Sequence, residues 1–280
     1  MGIHIIPDSI ATIQAGNQIT RDGKIMHILL TNDDGIYAPG LWALYKRFAP
    51  KHNVFVIAPD REQSAVGHGI TLNDPLRVNR VSVDHDCQGY AVSGTPADCV
   101  KLGVLELLEF KPDMVISGIN SGANVGININ YSGTVAAAKE AALYGLPAIA
   151  VSMHGRSTDS YDDAAGFVSE FADQVVRNGL PHGTFLNINF PDGPFNAISG
   201  IRISKLSTEL SPEHIEKRVD PRSRPYYWQR CDTLPANDDP EIDGTALYEK
   251  CISITPITCD VTDYKSIEAL KSWGIDKPHK

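Results

Sequence analysis

What most constrains the fold is a series of short apolar runs that do not alternate with polar residues. His27–Thr31, Val54–Ala58, Met114–Ser117, Ala148–Ser152 and Phe185–Phe190 are each near-continuous in apolar side chains. A strand with one wet face alternates, whereas a strand buried on both faces does not. Helical patterns separate the runs. Pro39 opens a segment in which Leu41, Leu44, Tyr45 and Phe48 fall at i, i+3, i+4 and i+7. After Val54–Ala58 comes a long loop, and then Ala97–Leu108 reads as a second helix, Thr134–Tyr144 as an Ala-rich third closed by Gly145, and Ala164–Arg177 as a fourth closed by Gly179. Strands alternating with helices predict an α/β fold with a mostly parallel sheet covered on both faces.

The pattern changes after about residue 200. Ser211–Arg230 is rich in charge, Pro and Tyr without a clean period, Thr245–Thr258 alternates like a strand, and Asp263–Trp273 places Ile267, Leu270 and Trp273 on one helix face. Pro221 and Pro225 exclude the 211–230 stretch from the interior of the main sheet, because Pro lacks the ladder donor. Its Tyr226, Tyr227 and Trp228, mixed with Lys217, Arg218, Arg222 and Arg224, have the composition of an interface. The expectation is a C-terminal β-hairpin arm packing on another subunit, followed by a terminal helix. Residues 1–25 are dotted with Gln, Asn and Gly, and Met26 stands directly before the first strand, so they read as an extension. The organisation expected is therefore an extension over 1–25, an α/β catalytic core over 26–200, and an oligomerisation arm and helix over 201–280 within the same domain.

Charge narrows the partners. Lys plus Arg is 25 and Asp plus Glu is 34, a net charge of −9, which argues against a nucleic-acid polymer or an anionic membrane. A small anion remains possible where a cation or oriented amides reverse the local field. No apolar run approaches the ~18–20 residues needed to span a bilayer. The five cysteines, Cys87, Cys99, Cys231, Cys251 and Cys259, are odd in number and scattered, which reads as reduced thiols in a cytoplasmic protein.

In open parallel sheets, ligands bind beyond the carboxyl ends of the strands. Polar residues collect there: Asn32-Asp33-Asp34-Gly35 after the first run, Asp60 to Ser64 after the second, Asn120 after the third. Adjacent carboxylates repel, and carboxylate, hydroxyl and amide oxygens together suit Mg²⁺, Mn²⁺ or Ca²⁺ rather than Zn²⁺. The plainer alternative is a turn with Asp34 as a helix cap. Gly122 to Thr134 is a Gly/Asn-rich loop entering a helix, where free N–H groups and the hydroxyls of Ser132 and Thr134 suit a phosphate; an ordinary N-cap is the plainer alternative. His68 lies just beyond Ser64 and could contact substrate, and Gly94-Thr95-Pro96 could equally be a cap followed by a helix-opening Pro.

Five blocks in order, Leu29 to Gly40, Ala58 to Ser64, Gly94 to Val100, Ser117 to Asn124 and Tyr131 to Ala138, resemble the signature of the SurE (stationary-phase survival) nucleotidases. The resemblance spans roughly Met26 to Phe190 and is loosest around 211–235. It implies a Rossmann-like doubly wound core and a metal-dependent 5′/3′-nucleotidase, a phosphatase acting on nucleoside 5′- or 3′-monophosphates, some members also trimming polyphosphate. By motif position it implies one divalent cation per subunit, Mg²⁺ or Mn²⁺ with Ca²⁺ an alternative in crystals, on Asp33, Asp34, Ser64 and Asn120. Asp33 and Asp34 would also be the catalytic carboxylates. Phosphate and substrate contacts would fall to Asn32, Gly35, Gly122, Ser132, Gly133, Thr134, His68 and Thr95. It further implies a cytoplasmic homodimer or homotetramer held by exchanged C-terminal segments. A phospho-aspartyl route of the haloacid-dehalogenase type needs Asp-x-Asp, but here the pair is adjacent. A non-catalytic receiver-like module would need a carboxylate at the end of the third run, where this chain has Asn120.

Overall fold

The structure, a computed structural model, describes residues 25–84, 87–155, 160–210, 213–231 and 238–275. The expectation for residues 1–25 thus lies almost wholly outside the described residues. In chain order the first elements are β1 (His27–Thr31), α1 (Pro39–Phe48), β2 (Asn53–Pro59), β3 (Val78–Asp84), β4 (Cys87–Val92) and α2 (Pro96–Leu102). Next come β5 (Met114–Ser121), α3 (Gly133–Leu143), β6 (Ala148–Met153), α4 (Tyr161–Asn178) and β7 (Thr184–Phe190). The last are β8 (Gly200–Ile203), β9 (Glu213–Val219), β10 (Pro225–Cys231), α5 (Asp243–Tyr248), β11 (Cys251–Thr258) and α6 (Tyr264–Ser272).

The main sheet runs β3-β4-β2-β1-β5-β6-β7-β11-β8. Its six central strands, β4 through β7 in that spatial order, are all parallel. The lack of alternation in the apolar runs has a direct cause. Ile28 and Leu30 of β1 face a layer made with α1 and α4, while Leu29 between them faces the opposite layer beside α2 and α3. β5 repeats this, with Met114 and Ile116 on one side and Val115 on the other. From β1 the chain winds outward to β2, β4 and β3 and then returns to place β5 on the other side of β1. That reversal is the switch point where such folds open a crevice.

Three expectations are corrected. The stretch between β2 and α2 is not all loop: it holds the β3–β4 antiparallel hairpin at the sheet edge, where partly exposed strands carry no long apolar run. The strand expected over Thr245–Thr258 begins only at Cys251, and its first five residues are all buried rather than alternating. Asp243–Tyr248 forms a short helix instead, with Asp243 to Leu247 all buried, and Lys250 turns the chain at φ +59° into β11. The second helix, expected to run to Leu108, leaves regular α geometry at Leu102 and ends through a wider turn over Gly103–Leu107. The 213–231 segment is a hairpin, as expected, and forms a two-stranded sheet of its own with Tyr226 opposite Arg218 and Trp228 opposite Glu216. Among the described residues no helix is long and apolar enough to cross a membrane.

Candidate active site

The site is built at the carboxyl ends of β1 and β5. Asp33 and Asp34 follow β1 directly, and Asp34 is not a helix cap, since α1 is capped by Ala38 with Pro39 at its first position. Asp33 is buried, and the donors around it come from the start of α3. The Thr134 hydroxyl makes a short hydrogen bond to its Oδ1, and the Gly133 and Thr134 amides also point to its carboxylate. Gly133 is required by this approach, because a Cβ there would stand 2.7 Å from the Asp33 Cβ. Burial nonetheless raises the Asp33 pKa, with those donors acting in the opposite direction. The amides that the sequence offers to a phosphate are therefore directed at a carboxylate of the protein itself, a local correction to that expectation.

Asp34 is half-buried and accepts a hydrogen bond from the Ser121 backbone N–H at the end of β5. Burial, then the neighbouring Asp33 charge, and to a smaller degree Glu62, push its pKa to about 6. Ser64 is reached through its own loop. The Gln63 N–H donates to the Asp33 carbonyl at 2.7 Å, and the exposed Ser64 hydroxyl donates to Glu62 Oε1 at 2.6 Å, leaving its oxygen lone pairs available. Asn120 donates its Nδ2 to the Gly122 carbonyl at 2.7 Å, so its Oδ1 is the end left to act as a ligand. Asn32 donates Nδ2 to the Gly35 carbonyl at 2.9 Å, while its buried Oδ1 has no partner.

These observations test the fit of a cation. Among the described residues no three His, Cys, Asp or Glu side chains converge as metal ligands. A site here must therefore be completed by neutral oxygens, as Ser64 and Asn120 would do. Two carboxylates with raised pKa values and an orphaned buried carbonyl oxygen beside them form an environment with uncompensated negative potential. A hard divalent cation answers that need, and the donor set fits one.

The other expected contacts divide. Ser132 caps α3, its oxygen accepting from the Val135 N–H at 3.1 Å. Gly122 is held by its N–H to the Met153 carbonyl. Thr95 is committed elsewhere: it forms a capping box with Asp98 at the start of α2, and its hydroxyl donates to the Gly69 carbonyl at 2.8 Å. His68 Nε2 lies 2.7 Å from Glu140 Oε2 on α3, and this contact is the main reason that carboxylate's pKa is lowered. Sequence reasoning missed Glu62, Ser121 and Tyr161. The first two sit inside motif blocks and could have been found there. Tyr161, buried at the start of α4, bonds the Ser121 side chain and feels the Asp34 charge, and nothing local in the sequence marks it.

Fold and site together define a doubly wound α/β protein whose switch-point crevice gathers the adjacent carboxylates of Asp33 and Asp34, with the start of α3 against Asp33. The chain belongs to the SurE family: the family described as Survival protein SurE matches residues 28–213. A protein of Desulfatibacillum aliphaticivorans named 5′-nucleotidase SurE is 53% identical over 253 residues, covering 90% of this chain and 100% of that protein. Another of the same name from Syntrophobacter fumaroxidans is 46% identical over 250 residues, covering 89% of this chain and 100% of its own. The crystal structure of the SurE protein from Aquifex aeolicus superposes with a TM-score of 0.76 at 37% identity, covering 89% of this chain and 99% of that one.

Proposed function

We propose that this protein is a phosphatase dependent on one divalent metal ion, Mg²⁺ or Mn²⁺, that hydrolyses nucleoside 5′-monophosphates to nucleoside and phosphate. On this reading 3′-monophosphates are also substrates, and short polyphosphate is a further one. The observation that carries the proposal is the adjacent Asp33–Asp34 pair at the switch point, close against the start of α3. The printed names of the relatives point the same way. Asp33, Asp34, Ser64 and Asn120 would hold the ion, which when bound supplies neutralisation of phosphoryl charge and a lowered pKa for water.

The rest is done by the chain. Asp33 is held by the Thr134 hydroxyl. Asp34 is half-exposed, so its carboxylate is the one placed to accept the proton released by the attacking water. Ser132 can donate its hydroxyl proton to a phosphate oxygen, and the Gly122–Thr134 loop walls the phosphate. A monomeric nucleotide suits the −9 chain better than a polymer, because only a small anion fits within the field of one local cation. We place the enzyme in the cytoplasm and assign it a homodimer or homotetramer through the 213–231 hairpin.

The test is phosphate release from a panel of 5′- and 3′-monophosphates and tripolyphosphate. Activity should vanish in EDTA and return with Mn²⁺ or Mg²⁺ better than with Zn²⁺. Full turnover after exhaustive chelation refutes the reading.

A further inference from the structure

Asp243 is a buried carboxylate for which the chemistry above has no use. It is 0% exposed, at the first position of α5. Its Oδ2 accepts the Gly126 N–H at 2.8 Å, across 117 residues of sequence, and its Oδ1 accepts the Gly244 N–H at 2.9 Å. The Ser207 backbone N–H supplies a third donor. Burial raises its pKa, and these N–H groups counter the effect. Gly126 meets it at φ +55°, and a Cβ there would stand 3.3 Å from both the Cβ and the carbonyl oxygen of Ser207.

The clamped segment is the loop that leads to the site. Two residues earlier, the Asn124 N–H donates to Asn189 Oδ1 at 2.8 Å, and its carbonyl accepts from Asn187 and Asn189 at 2.8 and 2.9 Å. Its Nδ2 reaches Ser152 Oγ at 2.9 Å. The loop is therefore gripped by β6 and β7 beneath and by Asp243 from the C-terminal third. Beyond Gly126 it makes one tight turn over Gly126–Asn130, and the Tyr131 carbonyl accepts the Gly67 N–H from the Ser64–His68 loop at 2.9 Å. It then passes through Ser132, which caps α3, into Gly133 and Thr134, which hold Asp33.

We propose that Asp243 is a positioning residue: its buried carboxylate fixes the Gly122–Thr134 loop over the acidic pair and so sets the affinity for the phosphoryl substrate without touching it. This inference rests on the phosphatase reading. A loosened loop populates the binding-competent arrangement less, and apparent affinity falls by that fraction. Substrate at saturation restores the arrangement, so turnover is retained.

Asp243→Asn turns one acceptor into a donor facing an N–H group. With AMP and Mn²⁺ it should raise KM about tenfold and leave kcat within about twofold. Amide hydrogen exchange over residues 124–131 should quicken about tenfold, while exchange in β1 stays unchanged. A purely stabilising role predicts the reverse, with kcat falling in step with the folded fraction at constant KM, and that result overturns the proposal. Gly126→Ala disturbs the same junction from the other side. If the Asn variant does not accumulate, Gly126→Ala must show the same KM rise and faster exchange, and wild-type behaviour there overturns the proposal too. Should the unaltered protein release no phosphate from AMP, the phosphatase reading fails, whereas the exchange measurement needs no turnover and still decides whether Asp243 clamps the loop.

Discussion

Asp34 is held in a state that serves the site better than the fold. Burial, Asp33 and Glu62 all work against its charge, and its pKa of about 6 lies above the ordinary 3.8. Between those values the folded protein keeps a proton that the unfolded chain releases. The stability this gives is fully present below about pH 4 and is lost as pH rises through about 6. Metal-free protein in EDTA should therefore show a falling contribution between pH 4 and 6, and Asp33, also raised by burial, adds in the same direction. Asp34→Asn should abolish that part, so the difference in urea midpoint between wild type and variant should grow with pH. After discounting for solvent access, the variant should gain about 1 kcal/mol at pH 7. Its phosphate release should fall at least about 100-fold, because on the proposed function an anionic ligand and the proton acceptor are lost together. An Asn variant that keeps wild-type turnover in saturating Mn²⁺ removes Asp34 from the site.

Thr95 separates two roles at the scale of one helix start. Its hydroxyl accepts from the Asp98 N–H at 3.1 Å while Asp98 accepts from Thr95 N–H at 2.9 Å. Asp98 also gathers Thr71 through its N–H at 3.0 Å and its hydroxyl at 2.7 Å, tying the loop beyond His68 to α2. Thr95→Ala should cost about 1 kcal/mol of stability by urea denaturation and leave KM for AMP unmoved; a tenfold KM shift would return Thr95 to the substrate contacts. The core strands, the four flanking helices and the carboxylate pair were legible in the sequence because each depends on a local pattern or motif. The β3–β4 hairpin was not, since a partly wet edge strand carries no strong period. Thr245–Tyr248 reads as strand in the sequence because what makes it helical is tertiary: burial of Thr245, Ala246 and Leu247, and the Asp243 carboxylate accepting N–H groups from distant chain. The use of the α3 amides on Asp33 was equally hidden, as it depends on a contact across 101 residues.

Across the whole molecule, the β9–β10 hairpin belongs to no larger sheet, and Ile215, Val219, Tyr227 and Trp228 on it are each more than half exposed. Two isolated strands are at best marginal in water. Deleting residues 211–230 should therefore yield a smaller species by light scattering at micromolar concentration, and an unchanged dimer would show that the arm is not the contact. The sheet has a second unusual edge. β11 is inserted between β7 and β8, antiparallel to the first and parallel to the second, with Ile254 opposite both Ile188 and Ile203. A ribosome delivers β7 well before β11, so the growing chain carries an open strand edge bearing Phe185, Ile188 and Phe190 until the last thirty or so residues emerge. Such edges recruit other chains. A chain stopped at residue 250 should aggregate on expression while one stopped after α6 remains dispersed, because in the interval of synthesis between the two the β7 edge is open to other chains.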